Sequence, residues 1–400
     1  MTTPTETAPD RYAFWQNAPL SITGSRVLVA TKPGVFAHGT VDPASMMLAE
    51  QVASLSRSTS VHLNCGNGMV PAAAAVAGGA SVLWCSDRSL PSVQATERTM
   101  AANGIAGAHV VHAHGTHAFP LALAADVVTI RVSSDKLALQ QLIWEAFYAL
   151  RLGGKCYLAG ANDEGVKPAV RLLESIFGAA RLEAQHSGHR MAVATKTQIA
   201  PSSLTEGTSP YLDPDHFREV SVTLKGIAHT LFSRPGVFSW EHLDEATQIL
   251  GDLMEIRAGE SVLDLGGGAG ALGLTAASLS GTGRVLMVDA DADAVRCAAR
   301  GVAKASLANV EIRASDVGGA VRDERFDVVV SNPPFHQGKA TDLMVPQQFI
   351  ADAHAHLHVG GRLYLVANRT LPYEKVIADR FGDVRTIHDG RRFKVLGATR

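Results

Sequence analysis

The chain has 400 residues, of which 46% are hydrophobic and 18% charged, with a formal net charge of −2. That length suits two domains better than one core. The composition excludes a disordered polypeptide, and the near-neutral charge excludes a global positive field, so any contact with RNA must use a local basic face. Cys65, Cys85, Cys156 and Cys297 show no CxxC spacing and read as reduced thiols of a cytosolic protein. The polar opening, Met1 to Thr7, lacks the order of a signal peptide. The apolar run from Pro71 to Cys85 is too short to span a bilayer. The expectation is a soluble cytoplasmic monomer with no membrane partner.

Residues 1–18 are expected to form a disordered tail. After it the chain repeats itself. Lys32-Pro33-Gly34-Val35-Phe36 returns as Arg234-Pro235-Gly236-Val237-Phe238, an offset of 202 (235 − 33). Asp42 with Asp244, Gly66 with Gly268, Gly68 with Gly270, and Ser187-Gly188 with Asp389-Gly390 keep that spacing. A constant offset of this length marks a duplicated domain, since solenoid periods are far shorter. The halves are placed at 19–198 and 218–400. The intervening 199–217 contains Pro201-Ser202-Ser203, Ser209-Pro210 and Asp213-Pro214, which is linker chemistry.

In the second half strands and helices alternate. Ser261–Leu265, Arg284–Val288, Val310–Arg313, Phe326–Val330 and Arg362–Val366 read as strands. Gly270–Ser280, Ala292–Lys304 and Val345–Leu357 read as helices. Val384–His388 and Arg392–Leu396 flank Asp389-Gly390, predicting a two-residue hairpin. The fold class is α/β, with a mostly parallel sheet ending in an antiparallel hairpin in each half.

Val262-Leu263-Asp264-Leu265-Gly266-Gly267-Gly268-Ala269-Gly270 is a strand running into a glycine turn. Gly266, Gly268 and Gly270 allow a ligand close approach. Dinucleotide-binding folds use such loops too, so the flanking acids matter. Asp264 suits the ammonium of a methionine moiety. Asp289 ends the next strand, where a carboxylate reaches ribose hydroxyls, and Asp316 follows the third, where one can accept from an adenine amine. These residues point to S-adenosylmethionine as cofactor. Competing with that reading, Asp289 could cap the following helix and Asp316 could be an ordinary loop acid.

Asn332-Pro333-Pro334-Phe335 follows the strand ending at Val330, at the carboxyl edge where open α/β sheets bind ligands. An exocyclic amine is a poor nucleophile because its lone pair is delocalised. If the Asn332 side-chain oxygen and the Pro333 carbonyl each accept one N–H, the nitrogen can pyramidalise toward a methyl donor. Proline fixes φ, so that acceptor is already ordered, and Phe335 offers a face for stacking. Asn332, Pro333, Pro334 and Phe335 are therefore the candidate catalytic residues, and Asn332 also borders the cofactor site.

At these residues the chain resembles the tandem-domain ribosomal RNA guanine-N2 methyltransferases, the small-subunit (16S) enzymes most closely. The resemblance runs through Pro235-Gly236-Val237-Phe238-Ser239, the glycine loop, Asn332-Pro333-Pro334-Phe335-His336, Val366-Ala367-Asn368-Arg369, Leu371-Pro372-Tyr373-Glu374 and Arg392-Phe393-Lys394-Val395. It implies a class I, Rossmann-like fold in each half, catalysis in the second half, and a guanine amine of ribosomal RNA as acceptor. Large-subunit guanine-N2, adenine-N6 and protein-glutamine methylation, or a non-catalytic RNA-binding assembly factor, are the rival readings.

The first half departs from the pattern. His62 stands opposite Asp264, Asn64 opposite Gly266 and Arg131-Val132-Ser133 opposite Asn332-Pro333-Pro334. Ser86 is placed opposite Asp289, with Asp87 one position late. This half is expected to support the active one and help hold RNA. His112, His114 and His117, and His354, His356 and His358, do not amount to a metal site. Phe238 and Asp244 keep their counterparts Phe36 and Asp42 in the half read as inactive, which suggests packing roles.

Overall fold

The computed structural model describes residues 8–55, 58–120, 123–202, 209–334 and 344–400. It divides into a first unit, Trp15–His216, and a second comprising Met1–Phe14 with Phe217–Arg400. A short helix, α1 (Ala8–Ala13), belongs to the second unit. The first unit opens with β1 (Gln16–Ile22), β2 (Ser25–Thr31) and α2 (Pro43–Ala53). It continues through β3 (Thr59–Leu63), α3 (Met69–Val76), β4 (Val82–Asp87), α4 (Leu90–Ala102), β5 (Ala108–His112) and β6 (Ala125–Arg131). It ends with α5 (Lys136–Ala149), β7 (Leu150–Ala161), α6 (Val166–Phe177), β8 (Arg181–His186) and β9 (His189–Thr195).

The second unit repeats the plan. It begins with β10 (Arg218–Leu224), β11 (Ile227–Ser233), α7 (Glu245–Leu253), β12 (Val262–Leu265) and α8 (Ala271–Ser280). Next come β13 (Val285–Asp289), α9 (Ala292–Ala305), β14 (Val310–Ala314), β15 (Phe326–Ser331) and α10 (Met344–Ala355). Then follow β16 (Leu357–Asn368), α11 (Tyr373–Phe381), β17 (Arg385–Asp389) and β18 (Phe393–Thr399). Each unit holds a seven-stranded sheet, ordered β5-β4-β3-β6-β7-β9-β8 and β14-β13-β12-β15-β16-β18-β17. Only β9 and β18 run against their neighbours.

Burial on both faces explains the sequence of the central strands. All four residues of β12 are buried, so its run is apolar throughout except at Asp264, as parallel strands require. Helix α9 packs one stripe, Ala294, Cys297, Ala298 and Gly301, at the i, i+3, i+4, i+7 spacing of an amphipathic helix.

The duplication is written into the backbone. Residues 202 apart share left-handed conformations: Gly24 and Gly226, Ala37 and Ser239, Asn64 and Gly266, Gly66 and Gly268, Gly68 and Gly270. Asn is among the few side chains that tolerate this region, so Asn64 keeps a turn that glycine makes in the other unit.

Two expectations need correction. The span 1–18 contains α1 and the start of β1, because Tyr12 is buried and β1 pairs along its full length with β2. The hairpins β1–β2 and β10–β11 carry no Asn-Gly or Asp-Gly signature. Their turns are Thr23-Gly24 and Lys225-Gly226, with φ of 48° and 85°, and 49° and 76°, the positive pair that a tight hairpin requires. Asp389-Gly390 is not such a turn. Three residues separate β17 from β18, whereas Ser187-Gly188 in the first unit makes the two-residue turn, with φ of 45° and 80°.

Candidate active site

Strands β14, β13, β12 and β15 lie side by side and parallel, so their carboxyl ends share one sheet edge. Asp264, the glycine loop, Asp289, Asp316 and Asn332 all fall there. The loop enters α8 through Gly266 at φ +78° and Gly270 at φ +92°, values at which L side chains are strained. A Cβ on Gly266 would also sit 2.8 Å from the Phe349 ring.

Asp264 is fully buried beneath this loop. Its Oδ2 accepts the Gly273 N–H at 2.8 Å, while Oδ1 has no hydrogen-bond partner. Burial, reinforced by the charge of Asp289 and opposed by the Gly273 bond, raises its pKa from 3.8 to about 7. A buried carboxylate oxygen without a donor is costly, and an ammonium group would satisfy it.

Asp289 ends β13. Its Oδ2 accepts the Gly268 N–H at 2.8 Å and its Oδ1 the Asp291 N–H at 2.8 Å. The cap of α9 is Asp291, whose Oδ1 accepts from Asp293 and Ala294. Asp289 is therefore not the helix cap and instead ties the strand end to the glycine loop. Asp316 lies two residues beyond β14, half-buried, with Oδ1 accepting the Tyr12 hydroxyl at 2.5 Å.

Asn332 follows β15 directly. Its Nδ2 donates to Asp244 Oδ2 at 3.1 Å and to Thr247 Oγ1 at 2.8 Å. Two acceptors on one side fix the amide's orientation, and Oδ1 is left buried without a partner. Pro333 is buried and Pro334 exposed. Phe335 and His336 lie outside the described residues. Asp244 also caps α7, its Oδ2 accepting from the Thr247 N–H at 2.9 Å, so it does more than pack. Its repeat at Asp42, read as a sign of packing, reflects a shared position: Asp42 holds Arg131 as Asp244 holds Asn332. Phe238 and Phe36 do not pack inward: they are 66% and 48% exposed.

The first unit carries the same frame with different chemistry. Leu63 pairs with Ser86 as Leu265 pairs with Val288, which puts Asp87, not Ser86, at the place of Asp289. Asp87 Oδ2 accepts the Gly66 N–H at 2.9 Å, the counterpart of the Asp289–Gly268 bond. The strand-end carboxylate is thus retained, and the one-residue displacement read from the sequence is wrong.

What differs lies elsewhere. His62 replaces Asp264 and is held neutral by burial, its pKa lowered to about 3, with ring nitrogens on Ser60 and Thr129. His114 takes the place of Asp316, since Ala113 and Ser315 make the same bond to Asp87 and Asp289. Arg131 stands at the position of Asn332, bonded to Asp42 at 2.8 and 3.0 Å and to Glu164 at 2.8 Å. Despite the opposing effect of burial, these acids hold it charged. A cavity of about 280 Å³ remains beside Asp42, His62 and Arg131, with no unpaired carboxylate of the Asp264 kind.

Among the described residues no group of three or more His, Cys, Asp or Glu is placed to hold a metal. The rings of His112, His114 and His117 each meet a backbone carbonyl. All four cysteines are buried and unbridged. No described helix is long and apolar enough to cross a membrane.

A family model described as methyltransferase small domain matches residues 26–192 and again 228–397. The ribosomal RNA small subunit methyltransferase C of Alteromonas mediterranea is 28% identical over 316 residues, covering 78% of this chain and 84% of its own. That of Klebsiella pneumoniae is 34% identical over 246 residues, covering 62% and 67%. Among solved structures, the T. thermophilus 16S rRNA N2 G1207 methyltransferase, in complex with AdoMet and guanosine, matches with a TM-score of 0.80 at 28% identity. The match covers 98% of this chain and 99% of that one. With both sheets in the same strand order and both halves matched by one model, the chain belongs to the methyltransferase small domain family, as a tandem duplicate.

Proposed function

We propose that the second unit methylates the exocyclic N2 of a guanine in 16S ribosomal RNA of the small subunit, using S-adenosylmethionine. The first unit supports it without catalysing. The observation that carries this reading is the Asn332 amide, locked by Asp244 and Thr247 with a buried, unpartnered Oδ1. The likeness to the T. thermophilus enzyme supports guanine N2 over adenine N6 or glutamine.

Bound S-adenosylmethionine supplies an electrophilic methyl group on a sulfonium. Asp264 Oδ1 would pair with the ammonium of that cofactor, Asp289 would take ribose hydroxyls, and Asp316 would accept from the adenine amine. Gly266, Gly268 and Gly270 leave room for close approach. The target guanine must leave its stack to reach the edge of the sheet. Asn332 Oδ1 and the Pro333 carbonyl then accept its two N–H groups, which turns the nitrogen lone pair out of conjugation. These acceptors need little reordering, since the amide is tied down and proline fixes φ. Methylation acidifies the nitrogen, so its proton passes to solvent without a strong base.

In the first unit, Arg131 fills the acceptor position with donors and His62 offers no anion, which removes both functions. We place the reaction in the cytoplasm, with the protein acting as a monomer. Transfer of labelled methyl to unmethylated ribosomal RNA, followed by nucleoside analysis, tests the proposal. N2-methylguanosine is expected in 16S RNA; N6-methyladenosine, or label on protein alone, would overturn it.

A further inference from the structure

Tyr12 lies 304 residues from Asp316 in sequence, yet its hydroxyl donates to Asp316 Oδ1 at 2.5 Å. Helix α1 rests against α10, and the Tyr12 ring, 5% exposed, packs in a cluster with Val317, Val321 and Phe349. A buried phenol needs a hydrogen-bond partner, and here that partner is a residue of the candidate cofactor site.

We propose that Tyr12 is a positioning residue for the adenine end of this site, orienting the Asp316 carboxylate toward the adenine amino group. The inference rests on the reading of Asp316 as the adenine acceptor. A carboxylate offers about four lone-pair directions, and the phenol bond takes one of them and fixes its rotation. Burial, with Asp316 and Asp352 nearby, raises the Tyr12 pKa far above its ordinary value, which keeps it a donor at any working pH.

The rest of the loop after β14 is held independently. Asp352 Oδ2 accepts the Gly318 N–H at 2.8 Å, and Gln348 steadies its Oδ1 at 2.7 Å. In the first unit Glu145 accepts from the Thr116 N–H as Asp352 does from Gly318, while His114 at the Asp316 position meets the Ala138 carbonyl. The backbone anchor is thus common to both units. The carboxylate with its tyrosine belongs to the second, the unit that keeps Asp264 and Asn332.

The test compares binding of S-adenosylhomocysteine with that of its hypoxanthine counterpart, which has no amino donor, to full-length wild type, Tyr12→Phe and Asp316→Ala. Tyr12→Phe is expected to weaken the adenine form about tenfold, the scale of a hydrogen bond to a charged group, and to leave the hypoxanthine form within about twofold. Each preference ratio is taken within one sample, so a partly unfolded fraction cancels. Equal weakening of both ligands would make Tyr12 merely structural and overturn the proposal. Tighter binding of the adenine form would also overturn it, by showing that Tyr12 competes with adenine. If Asp316→Ala keeps the adenine preference, the reading of Asp316 fails and the inference with it. If Asp316→Ala abolishes the preference and Tyr12→Phe does not, only the role of Tyr12 falls.

Discussion

Replacing Asp264 by asparagine should stabilise the cofactor-free protein while removing its grip on the cofactor. The carboxylate is fully buried, with one oxygen on the Gly273 N–H and the other unpartnered, and its pKa rises from 3.8 to about 7. A folded-state pKa above the unfolded value means that the group favours folding most at low pH. That advantage is complete below about pH 4 and is lost as pH rises through about 7. A rise from 3.8 to about 7 corresponds to about 4 kcal/mol. Asparagine keeps an oxygen for Gly273 but leaves an amide N–H unsatisfied, costing about 1–3 kcal/mol. The net gain is on the order of 1–3 kcal/mol at pH 8, or about 2–10 °C in melting temperature. At pH 5, where wild-type Asp264 is already protonated, the gain should vanish or reverse. Thermal melts at pH 5 and pH 8, with cofactor binding by calorimetry at pH 8, check this; binding should weaken by about 100-fold or more. Equal destabilisation at both pH values, or unchanged cofactor affinity, would refute the argument.

Thr247→Val removes one of the two acceptors for Asn332 Nδ2 but leaves Asp244, so kcat should fall by about tenfold with cofactor Kd unchanged, as single-turnover and binding assays would show. Gly270→Ala forces a side chain into φ +92° and should destabilise the second unit by about 1–2 kcal/mol, readable by urea unfolding. Calorimetry should find one cofactor bound per chain, because the first unit has His62 and Arg131 where the second has Asp264 and Asn332; two equivalent sites would contradict the assignment of roles.

Much of this was legible because chemistry sits at strand ends. The apolar run into Gly266–Gly270 located β12, and the spacing to Asp289 and Asp316 followed from the alternation of strands and helices. What escaped depends on contacts between distant segments. Tyr12 is one of three aromatics, with Phe14 and Trp15, within four residues, and nothing local ties it to Asp316. The role of Asp244 needs an 88-residue separation to close, and its repeat at Asp42 pointed instead to packing. Asp87 keeps the constant offset of 202 from Asp289 (289 − 202) and the strand pairing agrees, so its place was legible in the repeat itself. The hairpins at Thr23-Gly24 and Lys225-Gly226 lacked the Asn-Gly or Asp-Gly signature. Asp389-Gly390 had it and turned differently, so turn residues bias a hairpin without determining its loop.

The most direct test of the account is single-turnover methyl transfer to unmethylated small ribosomal subunits at saturating cofactor, comparing wild type with Asn332→Ala. The account predicts a rate loss of about 100-fold or more, the scale of removing one preorganised transition-state contact, with cofactor Kd within about threefold of wild type. A variant that transfers methyl at close to the wild-type rate would contradict the claim that the Asn332 oxygen holds the reacting amine.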